Sequence, residues 1–71
     1  MVDDVKKCVD ARVGFFAQYF DIPQQMQEEV DAFIRDTNAL GEKCADAGQF
    51  EAEFAATGLS DRFNAILPRC T

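Results

Sequence analysis

Residues 23–46, PQQMQEEVDAFIRDTNALGEKCAD, decide how this chain folds. Met26, Val30, Phe33, Ile34, Thr37, Leu40 and Cys44 recur at intervals of three and four. At about 100° per residue they share one face of a helix. The phase survives Gly41. The spacing therefore predicts one long helix over about 23–46, ended by Gly48. A rival reading stops the helix at Gly41, as the residue just past its last turn, with a short extra turn after it. DIPQ, residues 21–24, starts it: Asp21 serves as N-cap, Pro23 fits a first turn and Gln24 stands at the capping-box offset.

Upstream, residues 3–20, DDVKKCVDARVGFFAQYF, place Val5, Cys8, Val9, Val13, Phe16 and Phe20 on one helical face. Phe15 and Tyr19 widen that stripe. Arg12 projects near the middle of the apolar arc, so its side chain either snorkels over the core edge or pairs with a carboxylate from a neighbouring helix. Its functional counterpart is an interface anchor, because Arg is enriched at binding hot spots. Downstream, GQFEAEFAATG, residues 48–58, reads as a short helix with Phe50 and Phe54 stacked one turn apart. LSDRFNAILP, residues 59–68, reads as another, with Ser60 as N-cap, Phe63, Ile66 and Leu67 inward and Pro68 as the stop. No segment alternates with the period of a strand. The expected fold is all-α: a small antiparallel helical bundle of two long helices plus two short C-terminal helices, in a single domain 1–71.

Composition sets the limits on function. A 48% hydrophobic content with seven Phe supplies a core and argues against disorder. A chain this short buries only about 60% of its unfolded surface, so regular packing, a partner or a disulfide must help. No apolar stretch is long enough for a membrane span. The opening MVDDVKK carries acids where a secretory signal carries basic residues. It fits either a chain that is not exported or a mature secreted form, and the second is preferred to a cytoplasmic protein. The net charge of −6, with scattered Lys and Arg, speaks against direct nucleic-acid binding.

Histidine is absent, which removes Ser-His and Cys-His nucleophile pairs, His general bases and the commoner zinc sites. The carboxylates fall on solvent faces, except that Glu29 and Asp36 border the apolar stripe. None has the spacing of a calcium loop, and no glycine-rich phosphate cradle exists. No catalytic, cofactor or metal site is expected, and the chain is read as a non-enzyme.

Three cysteines carry the remaining information. Cys8 and Cys44 lie on apolar faces, while Cys70 follows Pro68 next to the last residue. In a straight hairpin turning near residue 22, Cys8 and Cys44 differ in height by roughly 12 Å at 1.5 Å per residue. A disulfide needs Cα atoms within about 7 Å. A Cys8–Cys44 bridge therefore requires a bend or break at Gly41. Cys8, Cys44 and Cys70 are all disulfide candidates, with Cys70 a staple closing the bundle or a tether to a partner.

Cys8, Cys44 and Cys70, with the tail AILPRCT at 65–71, resemble the layout of secretoglobins, which are short secreted all-helical chains. The resemblance rests on spacing and length, and here Cys8 lies inside the first helix rather than before it. It implies a secreted carrier of a small apolar ligand, built as a disulfide-linked dimer. VDDVKKCV, residues 2–9, is similar to the opening of acyl carrier proteins, but the only serine, in GLSDRF at 58–63, stands near the C-terminus. Ser60 is accordingly read as an N-cap. The residues themselves favour a small acidic helical protein–protein interaction module. Its partner is another protein or a second copy, and Arg12, Phe15 and Tyr19 are the candidate interface. The carrier of an apolar small molecule is the alternative.

Overall fold

The described residues form four α-helices: α1 (Asp3–Tyr19), α2 (Gln27–Lys43), α3 (Ala47–Ala56) and α4 (Leu59–Ile66). The computed structural model describes residues 1–19 and 22–69, with only the backbone for 17–19. Phe20, the Asp21 cap and the Cys70 tail lie outside the described residues, as does the Tyr19 side chain. Short 3-10 turns, Gln24–Met26 and Leu67–Arg69, precede α2 and follow α4. The all-α class and the two-long, two-short order are those expected from the periodicity. α1 and α2 run antiparallel: the Met1 ammonium lies 3.9 Å from Glu42, Val9 packs at Gly41, and Phe16 meets Phe33.

α2 follows neither reading of its C-terminus. It passes through Gly41 and ends at Lys43, because Cys44 turns extended at φ −91°, ψ 140°. Gly48 lies inside α3 rather than ending α2. The stop is made from the other side, by the start of α3. Asp46 accepts the Gln49 backbone N–H at 2.7 Å, and Gln49 Oε1 accepts the Ala45 N–H at 2.9 Å. Two otherwise orphaned donors are satisfied this way, which commits residues 45–49 to a new helix start. Ser60 is likewise not a cap. Gly58, at φ 82°, turns the chain between α3 and α4, and Ser60 stands within the first turn of α4. A side chain at position 58 would strain that left-handed backbone.

Gly41 permits a close approach of Met1 and Val9 to α2. A Cβ there would lie 2.8 Å from Met1 Cε and 2.9 Å from Val9 Cγ2. Around this contact the core gathers Val5, Val9, Phe16, Met26, Val30, Phe33, Cys44, Phe50, Phe54, Leu59 and Ile66, all buried. Phe33 sits among aromatic rings from the three other helices: Phe16 at 5.7 Å, Phe54 at 6.1 Å and Phe63 at 5.7 Å between centroids. Two of those contacts are edge-on, the favoured aromatic geometry. Each fully buried ring of this size stabilises the fold by about 1.5–3 kcal/mol relative to an exposed one.

One polar group breaks the pattern. Thr37 is 0% exposed, and its hydroxyl has no hydrogen-bond partner among the described residues. Thr57 shows the usual solution, its hydroxyl donating to the Glu53 carbonyl one turn back at 2.7 Å.

Candidate interaction surface

Arg12 rises from α1 between the core and solvent. Its Nη2 donates to Glu51 Oε2 on α3 at 2.7 Å, and Nη1 donates to the Cys8 carbonyl at 3.1 Å. The guanidinium carbon stands 4.9 Å from the Phe54 ring centroid and 5.8 Å from that of Phe50. The stem covers the core edge while the head pairs across helices, so both expected structural roles coexist. With 25% of the side chain exposed, the pair with Glu51 is worth at most about 1 kcal/mol, and the ring contacts add a comparable amount. Phe15, one turn along, is half-buried with its ring 6.3 Å from that of Phe63. Cys8, Arg12 and Phe15 thus form one half-buried edge of α1 beside α3 and α4.

The candidate Cys8–Cys44 bridge is not formed. Both are free thiols. Cys8 belongs to the Arg12–Glu51 edge, where burial and a hydrogen bond to the Glu51 carboxylate push its thiol above the usual value. Cys44 is 6% exposed, and burial first, then the charges of Glu53 and Asp46, push it up as well. Because Cys44 ends α2 instead of continuing its face, it is packed into the core at the corner before α3. Thiols with raised pKa are poor nucleophiles.

Two further arginines fasten the C-terminal part to α2. Arg62 Nη1 donates to Asp36 Oδ2 at 2.8 Å, and Arg69 Nη1 lies 3.3 Å from Glu29 Oε2. Glu29 and Asp36 are the two acids that border the α2 stripe, so each boundary acid has an arginine arriving from the last part of the chain. The Arg62 hydrogen bond holds the Asp36 carboxyl below the ordinary carboxylate range. Beside that pair runs a groove of about 300 Å³ between α2 and α4, lined by Asp36, Ala39, Leu40, Lys43, Leu59 and Arg62, with Thr57 at the turn. No local sequence pattern ties Lys43, Leu59 and Arg62 together. The usable signal was the position of Asp36 at the stripe edge, which called for a cation.

Among the described residues, Cys, Asp and Glu side chains nowhere gather as a metal site, and no helix is long and apolar enough to cross a membrane. Asp3, Asp4, Asp10, Glu28, Asp31, Glu53 and Asp61 are exposed without a cation in ion-pair range among the described residues. No family model, curated protein or solved structure matches the chain.

Proposed function

We propose that the chain is a non-enzymatic helical interaction module whose α1 edge, Arg12, Phe15 and Tyr19, docks a protein partner with a basic rim. The observation that carries the reading is the pinned state of Arg12. A guanidinium fixed by Glu51 and by the Phe54 ring, yet one-quarter exposed, is an anchor whose ordering entropy is already spent. Arg beside a half-buried aromatic is the composition of interface hot spots. The unpaired carboxylates on the outer faces steer a basic partner to it. The alternative, a carrier with its ligand inside the bundle, would have to separate phenyl rings already in contact, such as Phe16, Phe33 and Phe63.

A photo-crosslinking phenylalanine analogue at position 15, in cells that make the protein, tests the proposal. The same analogue at Asp31, exposed on α2, is the control. One discrete adduct from position 15 and none from position 31 is the expected result, with the purified pair weakened by salt. Identical adducts from both positions, or none from a folded position-15 variant, would remove the edge as the docking surface.

A further inference from the structure

The groove between α2 and α4 has a different chemistry from the α1 edge. Its floor is aliphatic, made by Ala39, Leu40 and Leu59. One end carries the Asp36 carboxylate, which lies 2.8 Å from Arg62 and 4.0 Å from Arg35. Lys43 stands seven residues beyond Asp36 on α2, about 10 Å along the axis at 1.5 Å per residue. No carboxylate pairs with its ammonium among the described residues. The groove therefore carries an uncompensated positive charge on a chain of net charge −6. The C-terminal carbonyls of α2 oppose an anion at this point, so the ammonium itself has to supply the attraction.

We infer that this groove binds a small aliphatic monocarboxylate, with the carboxylate on Lys43 Nζ and the hydrocarbon over Ala39, Leu40 and Leu59. The volume of about 300 Å³ is at the small end of ligand sites. An aliphatic floor with a single charged group at one end orients such a molecule, because its body gains by leaving water and its head by meeting the cation. The inference is independent of the α1 edge and stands or falls separately from it.

Octanoate is the probe, followed through backbone amide shifts of the whole chain. Saturable shifts confined to residues 36–43 and 57–62 are expected, with octanol and octylammonium each binding several-fold more weakly. Lys43→Glu, an exposed substitution whose folding is checked by circular dichroism, weakens octanoate binding by roughly tenfold, since it replaces attraction with repulsion. Equal binding by Lys43→Glu, equal binding of octylammonium, or shifts scattered over the surface would overturn the assignment. An acetylated tripeptide ending in a leucine carboxylate forms a further arm. Tighter binding of that peptide than of octanoate would overturn the small-molecule assignment and point to the C-terminus of a protein instead.

Discussion

Replacing Thr37 by valine removes one hydroxyl from the centre of the bundle and leaves the shape of the side chain unchanged. Thr37 is fully buried beside Phe33 and Gly41 on the α2 face, and its oxygen is unpartnered among the described residues. An orphaned hydroxyl in such a place costs about 1–3 kcal/mol relative to one left in water. Valine and threonine differ little in helix propensity, so the backbone contributes almost nothing to the change. Thr37→Val should therefore stabilise the fold by about 1–2 kcal/mol. For a domain of this size each kcal/mol moves Tm by roughly 4–8 °C, so a rise on the order of 5–15 °C follows. Urea unfolding followed by circular dichroism checks it: the midpoint should rise while the m-value stays fixed. Thr37→Ser supplies the complement, keeping the hydroxyl and losing a buried methyl, and should cost about 1 kcal/mol. A valine variant that is neutral or less stable than the parent would refute the reasoning, because it would mean that the hydroxyl is satisfied.

Gly14 and Gly41, one in each long helix, should respond with opposite signs. Gly14→Ala, where a Cβ meets nothing within 4 Å, gains about 0.5–1 kcal/mol of helix propensity. Gly41→Ala meets Val9 and Met1 and should lose about 1 kcal/mol net, as crowding outweighs propensity; the two urea midpoints decide this. Arg12→Ala removes the Glu51 pair and the cover over Phe54 and should destabilise by about 1–2 kcal/mol, whereas Arg12→Lys recovers only part of that in the same assay. The Asp36 carboxyl titrates below its ordinary value of 3.8 when folded, so its contribution is complete above that pH and is lost as pH falls through the folded value. Acid unfolding should accordingly show a smaller loss of stability in Asp36→Asn than in the parent below about pH 4. Both described thiols should react slowly with iodoacetamide at neutral pH and completely in denaturant, Cys44 being the more protected.

Most of the helical architecture was legible because the apolar residues keep one phase over long stretches. Of the seven residues in the α2 stripe, Met26, Val30, Phe33, Thr37 and Cys44 are buried, while Ile34 and Leu40 are partly buried at its edge. What misled the reading was punctuation. Continued periodicity through Cys44 extended the helix to 46, although the phase of side chains says nothing about whether the backbone turns. The Asp46–Gln49 pair holds that information, with the same Asp-x-x-Gln spacing as residues 21–24. Ser60 failed as a cap for a related reason. The left-handed Gly58 takes the cap position of α4 and leaves Ser60 two residues inside it, too deep to serve as the cap. The groove was illegible as a whole, since Lys43 and Leu59 are brought together by the α3–α4 turn and no local pattern ties them. Arg12 was legible in part: its position in the apolar arc demanded a partner, but only the fold could choose Glu51.

The ring of Phe33 also bears on how the protein opens. Since it touches one aromatic from each of the other helices, no helix can detach without breaking a contact at that side chain. Local fluctuations that release a single helix therefore forfeit stability held in common by all four. Amide hydrogens around Phe33 on α2 should exchange only through global unfolding, with protection that tracks the full unfolding free energy, while the ends of α1 and α4 exchange by fraying. A chain of this length can behave as one cooperative unit when a central side chain makes partial unfolding nearly as costly as complete unfolding.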